Sequence, residues 1–96
     1  MDLYSVGNLA QSIAGHDKNE IFVIIKEEGE YVYLSDGRGR SLRKPKRKNK
    51  KHIQPIYYRN ELLSEIKSDE DIKRVIQLFK KEVEKIVDLE DRKLEG

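Results

Sequence analysis

The stretch EIFVIIKEEGEYVYLS, residues 20 to 35, decides the fold predicted for this chain. Its first part, EIFVIIK at 20 to 26, is the most apolar run in the sequence and is rich in β-branched residues, which predicts a buried central strand. EEGE at 27 to 30 predicts a hairpin turn, and YVYLS at 31 to 35 predicts the returning strand. This hairpin is expected to form the centre of an antiparallel sheet.

Shorter segments on both sides of the hairpin supply three more strands. Upstream we predict a strand from about Val6 to Ser12 and a turn at 14 to 19, where Gly, Asp and Asn cluster. Downstream, in chain order, we predict a turn at 36 to 39, a strand at 41 to 45, a polar loop at 46 to 51 that is mobile when free, and a last strand at 52 to 56 broken by Pro55. Five short strands within about 56 residues indicate a small antiparallel barrel or sandwich.

The hydrophobic period changes to three and four from Asn60 onward, which predicts two helices. Asn60 is the predicted N-cap of a short helix through Ile66. Ser68, followed by three acids, predicts the start of a longer helix that reaches about Leu89, beyond which the chain should fray. We therefore expect a β unit at 1–58 and a helical extension at 59–96.

The longer helix carries a single apolar stripe, formed by Ile72, Val75, Ile76, Phe79, Val83, Ile86 and Val87. A stripe of this kind must be covered by the β unit, by the shorter helix or by a second chain. The sequence leaves these three alternatives open, so self-association through this helix is one of them.

Charge is strongly segregated along the chain, although the net charge is only +2. Residues 1–37 carry two Lys and seven acids, residues 38–59 carry ten Lys or Arg and no acid, and residues 60–96 carry eight Lys or Arg and eleven acids. Crowding ten like charges costs folding free energy, which counterion release on binding a polyanion would offset. The pattern predicts a nucleic-acid partner; the alternatives are a solvated loop, an anionic-membrane contact or a basic address signal.

The composition argues against catalysis and against a metal or cofactor. The chain has no Cys and only two His, and it lacks metal-ligand spacing, a nucleophile–base constellation and a Gly-rich phosphate loop before a helix. We therefore predict a protein that is not an enzyme and that uses no cofactor. No signal peptide and no apolar run of about 20 residues is apparent, so we expect a cytoplasmic protein that does not enter the membrane.

Two strings carry a resemblance to a known family: VGNLAQSIAGHDKNEIFVII at 6 to 25, and YVYLSDGRGRSLRKPKRKNKKHIQPI at 31 to 56. Together they resemble the KOW-motif RNA-binding domains of ribosomal and transcription-elongation proteins. The nearest group is the bacterial short KOW proteins similar to an archaeal and eukaryotic large-subunit ribosomal protein. The resemblance covers a little over half of the chain and implies nothing about residues 60–96. One departure is Asn19, where the family usually has Gly; Asn tolerates the left-handed backbone that such a turn requires.

The resemblance implies a mainly β fold, an SH3-like antiparallel barrel of about five strands, here followed by the two C-terminal helices. It also implies binding of structured RNA without catalysis. The family's second contact point would be the turn that holds His16 and Lys18. The alternative for that turn is an ordinary polar hairpin, whose Asp17 partly cancels the two positive charges.

The residues predicted to contact RNA phosphates are basic and lie mainly in one segment: Lys18, Arg38, Arg40, Arg43, Lys44, Lys46, Arg47, Lys48, Lys50 and Lys51. A secondary group comprises His16, Asn19, Tyr58 and Arg59. The Tyr57–Tyr58 pair either stacks on unpaired bases or packs at the junction with the helices. Tyr31 and Tyr33 share one face of a strand, and we expect them to pack on the barrel or helix rather than to touch RNA.

The predicted function is RNA binding, most naturally of ribosomal RNA in a translation-associated ribonucleoprotein. The basic segment is predicted to lie in strands and loops rather than on a helix suited to a DNA major groove. The alternative is a protein-interaction module that uses the barrel groove or the helical stripe, with the basic loop facing an acidic partner.

Overall fold

The computed structural model describes residues 3–95, with the side chains of Ser64 and of 87–95 outside the description. One antiparallel sheet has five strands, in chain order β1 (Leu9–Ser12), β2 (Ile21–Glu28), β3 (Tyr31–Ser35), β4 (Lys46–Asn49) and β5 (Ile53–Ile56). Their order across the sheet is β4-β3-β2-β1-β5, so the first and last strands are neighbours. One α-helix, α1 (Asp69–Glu95), follows. The predicted mainly β fold with a C-terminal helical part is confirmed.

The central hairpin of β2 and β3 lies where the sequence predicted it. Phe22 and Ile24 are buried on one face of β2 because strand side chains alternate, and Val23 is buried on the other. A β-bulge after Ile24 shifts the register, so that Lys26 pairs with Tyr33. Beyond the bulge, β2 therefore presents charged side chains on the face that carries Val23 nearer its start.

The first of two cores lies on the Phe22 face of the sheet. Its members are at most 4% exposed and come from four strands: Ala10, Phe22, Ile24, Val32, Leu34 and Ile53. β3 and β5 are separated by β2 and β1 in the sheet order, yet both contribute to this one cluster. The sheet therefore curves around Phe22. Full burial of each large apolar side chain contributes about 1.5–3 kcal/mol.

The second core joins the other face of the sheet to the beginning of α1. Leu9 and Val23 pack with Ile72, Val75 and Ile76, which follow the helical spacing of three and four. The sheet therefore covers the first half of the predicted stripe. This half of α1 is a layer of the fold, and the predicted boundary at residue 58 separates segments that share a core.

The helix start is held by its own cap and by the segment after β3. The amide of Asp71 donates to Ser68 Oγ at 3.4 Å, and the Ser68 amide donates to the Asp71 carboxylate at 3.1 Å, which is the reciprocal pattern of a capping box. The Leu42 amide donates to Asp69 Oδ1 at 2.8 Å. Gly37 has a φ of 74°, and a Cβ there would collide with the Asp69 carbonyl oxygen, so this turn needs Gly.

The second half of α1 extends past the sheet. Val83 is 42% exposed and Ile86 is 57% exposed, so their part of the stripe is uncovered, while the side chain of Val87 lies outside the described residues. The helix also runs to Glu95 rather than ending near Leu89 and fraying. No Gly or Pro interrupts this segment before Gly96, and Leu, Glu, Lys and Arg favour helix.

The strand predicted at 41–45 and the loop predicted at 46–51 were both wrong. The first is a turn, in which the Lys44 amide donates to Ser41 at 3.1 Å. The second is β4 followed by a short 3₁₀-helix, Lys50–His52. Pairing with β3 needs only backbone groups, so a segment without apolar residues became a strand.

Two other boundaries differ from the prediction. The short helix after Asn60 is a 3₁₀-helix, Glu61–Glu65, so the described residues contain one α-helix and not two. The Asn60 cap itself is present: its side chain accepts a hydrogen bond from the Leu62 amide at 2.9 Å. The first strand begins at Leu9 rather than Val6, because a turn with Gly7 at a φ of 96° precedes it.

Candidate nucleic-acid interface

The basic segment separates into two groups of side chains with different surroundings. Lys46, Lys48 and Lys50 lie at alternate positions and pair with acids elsewhere in the chain. We call these three the paired lysines. The other cations of the segment up to Lys51 are exposed. The strand geometry of β4 causes the division, because Lys46 and Lys48 share a face and Arg47 points the opposite way.

Lys48 is the most enclosed of the paired lysines. It lies opposite Val32 in the sheet, on the side of the first core, and its side chain is only 9% exposed. Its Nζ donates to Ser12 Oγ at 2.5 Å, to the Ala14 carbonyl at 2.8 Å and to Asp17 Oδ1 at 2.5 Å. An ammonium has three donors, so its hydrogen-bonding capacity is used within the protein. Lys48 does not reach the surface and cannot serve as the predicted phosphate contact in this conformation.

Asp17 is the acid around which this cluster forms. Its Oδ1 also accepts from Ser12 Oγ at 2.6 Å, and its Oδ2 accepts from Lys46 Nζ at 2.6 Å. Burial alone would raise the pKa of Asp17, but the hydrogen bonds from Lys46, Lys48 and Ser12 outweigh it and hold that pKa well below its ordinary value. The cluster is therefore ionised at neutral pH and ties the turn after β1 to β4.

Lys50 forms a separate pair at the other end of β4. Its Nζ lies 2.5 Å from Glu27 Oε2 and 5.0 Å from the centre of the Tyr4 ring. Both partners of the ion pair are about a quarter exposed. Lys50 thus holds the 3₁₀-helix against β2, and its charge is already compensated.

The remaining predicted cations form what we call the exposed cation set. All of its members are exposed, and none forms a salt bridge with another residue in the part of the chain that the structure describes: Lys18, Arg38, Arg40, Arg43, Lys44, Arg47 and Lys51. Most of them lie on turns, Arg47 lies on β4 and Lys51 lies on the short 3₁₀-helix. An anion that approaches them displaces no internal carboxylate.

The turn at Arg38 and Arg40 is rigid although its side chains are exposed. The Asp36 carboxylate accepts hydrogen bonds from the amides of both arginines, at 2.8 Å and 2.9 Å. Ser35 Oγ donates to the Arg40 carbonyl at 2.6 Å. These contacts use backbone atoms, so both guanidinium groups project from a fixed base.

The turn after β1 stands beside the beginning of β4, because Asp17 bonds to Lys46. The two sequence neighbours of Asp17, which are His16 and Lys18, are exposed. The structure thus brings the second predicted contact point next to the basic segment. Asn19 has a φ of 76°, which confirms that it adopts the left-handed backbone predicted for this position.

The secondary candidates at the end of the β unit differ from one another. Tyr58 is 8% exposed and meets the Phe79 ring edge-on at 5.3 Å, so the structure contradicts an RNA contact and places Tyr58 in the second core. Arg59 is exposed; it donates to Asn8 Oδ1 at 3.1 Å and lies 4.1 Å from the centre of the Tyr57 ring.

The sequence interpretation missed the role of Asp17 and Ser12 as the acceptors of buried lysines. Only a weak signal was present: in KRKNKK the lysines at 46, 48 and 50 recur with the strand period of two. Without an apolar residue in that run, nothing indicated which alternate set would turn inward.

No group of His, Asp or Glu among the described residues could hold a metal ion, and no described helix is long and apolar enough to cross a bilayer. No protein-family model matches the sequence, and no curated protein matches it. The resemblance to KOW-motif domains therefore rests on the quoted residues alone.

Proposed function

We propose that this chain is an RNA-binding protein that contacts the phosphates of structured RNA, most naturally ribosomal RNA, within a translation-associated ribonucleoprotein. The observation that carries the proposal is the exposed cation set: seven cations without a salt bridge among the described residues, on turns, on β4 and on the short 3₁₀-helix. Its proposed RNA-contacting members are Lys18, Arg38, Arg40, Arg43, Lys44, Arg47 and Lys51.

The fold supports assigning the β unit to the SH3-like barrels of the KOW type. The strand order β4-β3-β2-β1-β5 and the shared core of β3 and β5 fit a small barrel-like sheet. The 3₁₀-helix between β4 and β5 provides the short connection that joins the two edges. This assignment is part of the proposal.

RNA is favoured over DNA by the position of the cations as well as by the family resemblance. Most of the set lies on turns, with Arg47 on β4 and Lys51 on a single 3₁₀ turn, whereas the common major-groove readers present an α-helix. The described α1 packs its first half on the sheet and carries mixed charges. Recognition through phosphates, 2′-hydroxyls and shape suits such a surface.

The test compares two variants with equal loss of charge. The first replaces four members of the exposed cation set with Gln: Arg40, Arg43, Lys44 and Lys51. The second, a control, replaces four helix-side cations with Gln: Lys67, Arg74, Lys81 and Lys85. Affinity for a ribosomal RNA fragment is measured from about 50 to 200 mM salt.

The wild-type protein should bind with a steep salt dependence, because each phosphate contact releases counterions. The first variant should lose at least tenfold in affinity, and its slope of log K against log salt should fall by about three. The control variant should keep most of the wild-type affinity and most of the wild-type salt slope. Equal losses in the two variants, or no wild-type binding at near-physiological salt, would overturn the proposal.

A second candidate function is a protein-interaction module. It is favoured by the exposed Val83 and Ile86 on the free part of α1. A protein that copurifies with the wild type but not with Ile86→Glu, together with absent RNA binding, would support this candidate instead.

A further inference from the structure

A second feature of the sheet surface is a pair of tyrosines between two cations. Tyr33 on β3 lies between Lys26 on β2 and Arg47 on β4 in the strand register. Tyr31 follows two residues earlier on the same strand and therefore on the same face. We call Lys26, Tyr31, Tyr33 and Arg47 the tyrosine face.

The tyrosine face is not part of either core. Tyr31 is 37% exposed and Tyr33 is half-buried, and neither belongs to a core cluster, so the expected packing on the barrel or helix does not extend to either core. Their neighbours Val32 and Leu34 point the other way and are fully buried. The rings thus lie on the outside of a rigid sheet.

A cation lies over each of the two rings. The Arg47 guanidinium carbon is 4.4 Å from the centre of the Tyr31 ring, and Lys26 Nζ is 5.1 Å from the centre of the Tyr33 ring. Cation–π contacts at exposed sites are weak, so they orient a ring but yield to a ligand. Lys26 is also held by Glu28, 3.0 Å away, whose hydrogen bond raises the pKa of Lys26.

We propose that the tyrosine face binds unpaired RNA bases by stacking. Tyr31 and Tyr33 are about 7 Å apart along the strand, so each ring would take a separate base. Arg47, which belongs to both the exposed cation set and this face, would neutralise an adjoining phosphate or stack on a base with its planar guanidinium. The inference rests on the proposed function and specifies its substrate as structured RNA with a loop or bulge.

The chemistry of the face favours a nucleic acid over a protein ligand. A protein hot spot buries aromatic anchors in a pocket with apolar surroundings, whereas these rings lie on an open sheet between charged groups. Flat aromatic faces with cations beside them are the usual platform for stacked bases, and every base offers a π face.

The first experiment uses Tyr31→Trp as a fluorescent reporter, because the chain contains no Trp. The probes are an RNA hairpin with an open loop and a fully paired duplex of the same length. Stacking of a loop base on the indole should quench its fluorescence with the hairpin and leave it nearly unchanged with the duplex. Equal quenching by both RNAs, or none by either despite binding, would overturn the inference.

The second experiment measures affinity for both RNAs after Tyr31→Ala and Tyr33→Ala. Each should weaken hairpin binding about five- to hundredfold, the range for loss of one stacked base, and should leave duplex binding and the hairpin salt slope unchanged. The Phe variants at these positions should retain hairpin affinity, which separates stacking from loss of the hydroxyl. Val83→Ala removes an exposed apolar side chain elsewhere, on α1, and should have little effect on either RNA.

The two proposals fail in different ways. If the wild type binds neither RNA, the proposed function is lost. If it binds both with a steep salt dependence and the Ala variants weaken both equally or neither, phosphate binding survives and base stacking is refuted.

Discussion

Lys50 and Lys51 are adjacent in sequence, yet Lys50 is one of the paired lysines and Lys51 belongs to the exposed cation set. Lys50, like Lys46 and Lys48, is paired with an acid contributed by a distant segment. Lys51, like the other members of the exposed cation set, faces solvent without a salt bridge to a described residue. The comparison teaches that a run of positive charge is not one binding surface. Strand geometry assigns alternate lysines to holding the fold and leaves their neighbours for a polyanion.

The strongest test of this comparison removes Lys48. Lys48→Ala should lower the free energy of unfolding by about 1–3 kcal/mol, because Asp17 Oδ1 loses its buried ammonium partner while Oδ2 keeps Lys46. Urea denaturation at neutral pH measures the change. Lys44→Ala, at an exposed position in the same segment, is the control and should stay within about 0.5 kcal/mol. Similar losses in the two variants would break the distinction.

The second test follows the same cluster with pH. The folded-state pKa of Asp17 lies below its unfolded value, so the folded protein binds fewer protons here; the stabilisation is complete above about pH 4 and is lost as pH falls further. Asp17→Asn imitates the protonated state. The difference in the free energy of unfolding between wild type and Asp17→Asn should therefore stay constant from about pH 6 to about pH 4 and shrink from there to about pH 3. Urea unfolding across this range measures it, and a constant difference would contradict the role of the ionised carboxylate.

The finest test compares Lys50→Gln with Lys51→Gln. The first should cost about 1 kcal/mol of stability, since its ion pair is partly buried, and should leave the salt slope of RNA binding unchanged. The second should change stability by no more than about 0.5 kcal/mol and reduce the slope by about 0.7–0.9, the value for one phosphate contact. If both variants change the same quantity, the two lysines do not differ in role.

The fold was predictable wherever hydrophobic period carried the information. The β2–β3 hairpin, the Ser68 cap and the buried beginning of the stripe at Ile72 all lie as predicted, because burial of apolar residues imposes its period on the sequence. β4 was not predictable in this way. Its residues contribute backbone hydrogen bonds and ion pairs, neither of which needs an apolar pattern.

The candidate site was predictable only as a region. Charge counts locate a basic segment, but they cannot say that Lys48 is enclosed or that Tyr58 packs on Phe79. Those outcomes depend on Asp17 and on α1, which are far away in sequence. Charge counts also say nothing about Tyr31, which was expected to pack on the barrel or helix and is 37% exposed.

The sequence by itself determined the antiparallel hairpin at 20–35, the capped helix after Ser68 and the concentration of positive charge between 38 and 59, because each is a local property of residue type and spacing. Only the tertiary structure decided which of those charges face outward. A lysine next to a curved sheet is either held by a carboxylate across the fold or left to solvent, and the choice depends on what the chain brings opposite it. Here the turn after β1 brings Asp17, so that Lys46 and Lys48 hold the sheet while Arg47, between them, remains exposed.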